Sequence, residues 1–169
     1  MNNLHPNIKY LNTIPCTSNT ENVNYINNCI EYYCLQLNET GNFDYADKIE
    51  LLLFDYYKTH NHYNNPIYLK SMWLREGNNL VCTLYGSYTL ETIINDVKVC
   101  IEQVTNYPLE YEVKFIITVE KPVDFCIIFR IPPWAKSLSY GNKKSISLDK
   151  TWKRTEEFTL AFKPILKVI

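Results

Sequence analysis

Glycine is scarce in this chain, four in 169 residues, and none falls into a G-x-G-x-x-G or Walker spacing. A Gly-rich phosphate cradle is therefore excluded. An excess of either charge is also missing: Lys plus Arg number 17 and Asp plus Glu 18, a formal net charge of −1. No whole-chain field exists to gather nucleic-acid phosphates or an anionic membrane surface, and neither partner is expected. No stretch approaches the roughly 18 consecutive apolar residues of a spanning helix. The opening Met1-Asn2-Asn3-Leu4-His5-Pro6-Asn7 has no basic segment followed by an apolar one, so the expected location is cytoplasmic. Gly-x-Ser-x-Gly, His-Glu-x-x-His and Cys-x-x-Cys are all absent.

What remains is an ordinary globular composition, 46% hydrophobic and 21% charged, long enough to bury a core without disulfide staples. Three of the six cysteines, Cys82, Cys100 and Cys126, sit inside apolar β-branched runs and read as small buried hydrophobes in strands. Cys29 and Cys34 are five apart, on different sides of a helix, and make a poor chelate. His60-x-His62 lies among Asn and Tyr and reads as a solvated turn. No metal and no cofactor are expected.

Organisation along the chain follows the hydrophobic period. Residues 1–19 are polar, contain Pro6 and Pro15, and read as an extended arm. Val23, Ile26, Ile30, Tyr33, Cys34 and Leu37 recur at three- and four-residue spacing, which places them on one helix face. Gly41-Asn42 ends that helix. A second follows from about Asp44 to Lys58, striped by Ala46, Ile49, Leu53 and Tyr56/Tyr57 and widened by Leu51, Leu52 and Phe54. A helix apolar on several sides demands several neighbours.

Residues 59–79 read as a connecting loop with a short strand or turn near Ile67–Trp73. From Leu80 the period becomes strand-like: 80–85, 97–103, 111–120, 125–131, 145–148 and 157–162. Asn95-Asp96, Tyr107-Pro108, Pro132-Pro133 and Gly141-Asn142 punctuate these runs. The expected fold is α+β, an N-terminal helical hairpin over 20–58 followed by an antiparallel β-sandwich over 80–169.

Carboxylate pairs invite an acid–base reading, which needs one raised pKa beside an ionised partner in a cleft. Asp44 and Asp47 read instead as first-turn acids that suit the helix dipole. Glu110 and Glu112 alternate on a strand and read as solvated. Fourteen tyrosines and the tryptophans at 73, 134 and 152 supply platforms for sugar rings, although such residues more often fill sandwich cores.

Two separated stretches carry a resemblance. The first is Glu21-Asn22-Val23-Asn24-Tyr25-Ile26-Asn27, then Thr40-Gly41-Asn42-Phe43-Asp44-Tyr45-Ala46-Asp47-Lys48-Ile49-Glu50 and Leu53-Phe54-Asp55. The second joins Leu80-Val81-Cys82-Thr83-Leu84-Tyr85 and Gln103-Val104-Thr105-Asn106-Tyr107-Pro108 to Phe129-Arg130-Ile131-Pro132-Pro133-Trp134-Ala135 and Trp152-Lys153-Arg154-Thr155-Glu156. In order and spacing these resemble the β-L-arabinofuranosidase family of glycoside hydrolases, family 127 and its relatives, over about residues 21–58 and 80–164.

The resemblance implies an (α/α) barrel ahead of a β-sandwich, so the hairpin corresponds to a remnant of that barrel. It also implies a zinc ion held by three thiolates and a carboxylate, one thiolate serving as nucleophile, with an acid/base Glu upstream of the position of Glu21. Glu21 matches the ligand carboxylate, but the ligand cysteine two residues on is Val23, and residues 59–79 hold no Cys-Cys pair. Val has no lone pair to give a metal. The expectation is a non-catalytic relative that binds a carbohydrate or a protein partner, with Glu21, Tyr25, Trp73 and Trp134 as ligand-contacting positions. The alternatives are an active subunit completed by another chain, or a homo-oligomeric interaction module joined through the hairpin.

Overall fold

The computed structural model describes residues 20–57, 65–135 and 143–162, the side chains of 20–23, 55 and 57 excepted. Helix α1, Thr20–Thr40, turns its stripe inward, with Ile30, Cys34 and Leu37 fully buried. Gly41 at φ +66° closes it, its N–H donating to the Leu37 carbonyl at 2.8 Å. That left-handed cap is inexpensive for glycine alone. Helix α2, Phe43–Tyr57, starts on Asn42, whose Oδ1 accepts from the Asp44 N–H at 3.0 Å. Ala46, Ile49, Leu52 and Leu53 are buried, and Leu51, Phe54 and Tyr56 are half-buried.

The segment expected to connect the halves contains structure of its own. Helix α3, Pro66–Ser71, is capped by Asn65, whose side chain accepts from the Ile67 N–H at 2.8 Å. Strand β1, Trp73–Glu76, then pairs antiparallel with β2, Asn79–Cys82. The remaining strands are β3 Tyr88–Ile94, β4 Val97–Val104, β5 Glu112–Val119, β6 Val123–Arg130, β7 Ser145–Trp152 and β8 Thr155–Ala161. They form two four-stranded sheets, ordered β1-β2-β6-β7 and β3-β4-β5-β8.

One pair departs from the expected antiparallel pattern, because β2 runs parallel to β6 with Val81 opposite Ile128. Strand β3 was not legible in sequence: its inward residues Tyr88, Leu90 and Thr92 are only half-buried, so its alternation is pale. The β3–β4 turn places Asn95 and Asp96 at φ 49° and 59°, the two left-handed positions of a tight hairpin.

Between the sheets the core is aromatic. Phe115 of β5 meets Trp73 and Phe129 edge-on and stacks on Phe158, and Trp152 stacks on Phe125. Cys82 belongs to this core, as expected. Cys100 and Cys126 are only half-buried, since they occupy outward-facing strand positions between buried neighbours. Glu110 and Glu112 are exposed, as the alternation implied. Among the described residues no helix is long and apolar enough to cross a membrane.

Candidate functional site

The hairpin meets the sandwich along a polar seam built by residues far apart in sequence. Arg130 closes β6 and is fully buried. Its Nη1 donates to Asp47 Oδ1 at 2.5 Å and its Nη2 to Glu50 Oε1 at 3.0 Å. Asp47 and Glu50 are one helical turn apart, so α2 presents both to the same guanidinium. The third donor, Nε, reaches the Thr83 carbonyl at 2.5 Å, and the Arg130 carbonyl accepts from the Tyr85 hydroxyl. The guanidinium lies 5.9 Å from the centre of the Tyr85 ring. Glu50 is equally committed: Oε1 also accepts from the Tyr107 hydroxyl, and Oε2 from the Trp134 indole N–H at 3.2 Å.

Sequence context explains why these groups converge. Arg130 follows the inward-facing Ile127 and Phe129 at the end of an apolar strand, so its polar head emerges where the sandwich stops and α2 crosses. Aromatic rings wall the seam, with Tyr107 near Phe54, Tyr85 and Phe162, and stacked on Trp134. Rings exclude water, which strengthens each charged hydrogen bond and penalises any unpaired charge.

Electrostatics follow from that dryness. Burial pushes the Asp47 carboxyl up to about 6; Arg130 pulls it down, while Glu50 and Asp44 add to the rise. Burial opposes the charge on Arg130, yet Glu50 and Asp47 hold it firmly protonated. Burial and the neighbouring Glu50 carboxylate keep Tyr107 a neutral phenol. Asp47 is thus no first-turn cap, contrary to the sequence expectation. Helix α2 begins at Phe43, which puts Asp47 one turn in and facing β6, and leaves the dipole to Asp44. A cavity of about 10 Å³ borders the seam, lined by Glu50, Phe54, Tyr85 and Tyr107 among others. That is room for about one water molecule.

The four residues expected to touch a ligand do not gather. Glu21 lies in the first turns of α1, its side chain outside the described residues. Tyr25 is on the outer face of α1 and 57% exposed. Trp73 is 7% exposed, packed on Phe115 between the sheets. Trp134 is 4% exposed and is part of the seam. Asp47, Glu50, Tyr107 and Arg130 all lie within the family-like motifs, but nothing in their spacing links them to one another. The available signal was Arg130 itself, a lone cation between Phe129 and Ile131.

Among the described residues, the donors do not fit a zinc ion of the kind the resemblance implies. Val23 stands where the resemblance implies a ligand cysteine. The cysteines among the described residues are scattered over α1, β2, β4 and β6, and Cys34 and Cys82 have thiols pushed up by burial, Cys34 to about 11. Among the described residues no three His, Cys, Asp or Glu side chains are grouped to hold an ion. His60 and His62 lie outside the described residues.

Comparison with known proteins agrees with the geometry of the sandwich. Residues 79–163 match a family model described as the β-L-arabinofuranosidase, GH127 middle domain. Among solved structures, one similar protein is a GH127 β-L-arabinofuranosidase from Geobacillus stearothermophilus T6, at 19% identity and a TM-score of 0.62, over 80% of this chain and 30% of that one. Another, described as a glycoside hydrolase, is 18% identical with a TM-score of 0.64, over 82% and 32%. A third, a GH127 β-arabinofuranosidase, is 15% identical with a TM-score of 0.61, over 82% and 31%. The chain therefore spans under a third of the length of these structures, and at such identities the likeness shows the fold. No curated protein matches.

Proposed function

The chain belongs to the GH127 β-L-arabinofuranosidase family through its middle domain, and from that premise we propose that it is a non-catalytic, partner-binding member. The observation that carries this reading is the seam. Asp47, Glu50, Tyr107, Arg130 and Trp134, polar residues of the family-like motifs, direct their hydrogen bonds at one another. Among the described residues, the cavity beside them has room for about one water. Val at position 23 supports the same reading, because a three-thiolate cage cannot be assembled through it.

Metal analysis and turnover test it directly. The purified chain is expected to contain substoichiometric zinc and to release no chromophore from an aryl β-L-arabinofuranoside. One zinc per chain accompanied by turnover would overturn the proposal.

A second reading is a subunit completed by another chain, favoured by the outer face of α1. Tyr25, Tyr32 and Leu35 are each more than half exposed there, and residues 24–38 carry no charge other than Glu31, which accepts from Asn65. Such depletion of charge with aromatic enrichment characterises protein interfaces. Of the aromatic ligand candidates only Tyr25 is exposed, so this face is also where it could meet a carbohydrate. Light scattering of the chain, alone and with arabino-oligosaccharides, separates these outcomes: a monomer that binds no sugar and no co-purified chain excludes both.

A further inference from the structure

Charge is unbalanced in the seam. Two carboxylates, Asp47 and Glu50, address one guanidinium, so with both ionised the cluster carries one uncompensated negative charge in a site walled by rings. The two acids are not equivalent. Glu50 is 7% exposed at its side chain and takes donors from Arg130, Tyr107 and Trp134. Asp47 is 27% exposed at its side chain and takes one hydrogen bond, from Arg130. It alone has both a reason to accept a proton and a path to solvent.

Among the described residues, the surrounding ionisable groups do not cancel that charge. On α2, Asp44 adds a further negative charge and is itself paired with Lys144, ahead of β7, at 3.2 Å in solvent. Lys48 lies over the Tyr33 and Tyr45 rings, 5.3 and 5.1 Å from their centres. From α1, Glu31 is held by Asn65 and Cys34 is a neutral thiol. From the strand ends, Tyr85 donates its hydroxyl to the Arg130 carbonyl, and Tyr107, a neutral phenol, donates to Glu50.

We propose that this seam is a proton-operated clasp, in which protonation of Asp47 in mild acid neutralises the cluster and tightens the hairpin against the sandwich. The carboxyl is held at about 6 when docked, against an ordinary value of 3.8, burial being the main cause. The docked state therefore binds the proton more tightly than the undocked state. Docking is strongest below the ordinary value and weakens as pH climbs through about 6. Between about pH 5 and about pH 7.5 the opening equilibrium of the hairpin rises about tenfold.

Hydrogen exchange of the full chain, corrected for intrinsic rates, tests this. Amides of α2 are expected to open about tenfold more often at the higher pH, and Asp47→Asn to flatten the change to within about twofold. Wild-type α2 protection that does not vary with pH, or an Asp47→Asn chain that varies as the wild type does, overturns the clasp. Carboxyl carbon NMR of the unmodified protein gives an arm that needs no variant. One aspartate titrating near 6 supports the proposal, and all aspartates titrating well below that defeat it.

Discussion

Two interiors hold this molecule together, and they work by different physics. Between the sheets, Phe115, Phe129, Phe158, Trp152 and their neighbours bury apolar area, a force that is large and almost indifferent to direction. Between α2 and the sandwich, Arg130, Asp47, Glu50, Tyr107 and Trp134 supply directed, charged hydrogen bonds. A buried ion pair adds little net stability beyond what apolar packing would give, because desolvation offsets the attraction. Losing one partner is costly, since the survivor stays in the dry site uncompensated. Apolar packing therefore supplies adhesion, in the hairpin as well as the sandwich, and the seam adds directed hydrogen bonds between the two.

The sharpest way to break this contrast is Arg130→Met, which strands both carboxylates. We expect a loss of about 3–5 kcal/mol in urea unfolding, with α2 losing exchange protection before β4 and β5 do. A loss no larger than a surface substitution would show the seam to be ornamental. Phe115→Ala removes a fully buried ring and is expected to cost a similar or somewhat smaller amount, about 3–4 kcal/mol. Its signature differs, because protection should fall across both sheets together. Trp134→Phe keeps the ring stack but deletes one donor to Glu50, for an expected loss of about 1.5–3 kcal/mol by the same unfolding assay. Lys98→Ala breaks an exposed pair with Glu120 at 3.5 Å and should shift stability by under about 0.5 kcal/mol. A larger effect there would mean that the outer face of the second sheet carries more than its packing implies.

Much of the scaffold was legible from residue order. The Ile30–Cys34–Leu37 stripe, the Gly41 stop and the alternation of Phe115, Ile117 and Val119 each report a period or a turn that a few neighbouring residues enforce. Strand β3 escaped because an edge with half-buried inward residues has little alternation to display. The parallel β2–β6 pair escaped because strand direction depends on how the chain returns, about which Val81 and Ile128 are silent. Trp73 and Trp134 were candidates for a sugar platform, and burial places both rings away from solvent. Tyr25 kept its exposure because α1 turns that face outward.

The seam was the least legible part. Asp47 and Glu50 stand 83 and 80 residues from Arg130, and nothing local distinguishes Asp47 from an acid serving a helix dipole. Order along the chain was enough for two amphipathic helices, their stops, and most strands of a sandwich, because those choices rest on steric and hydrophobic preferences acting within one or two turns. Which acid faces the buried guanidinium, which tryptophan donates to Glu50, and where a carboxyl titrates emerged only on folding. Those properties depend on how completely water is removed from a particular place, and that is a property of packed surfaces rather than of neighbouring residues.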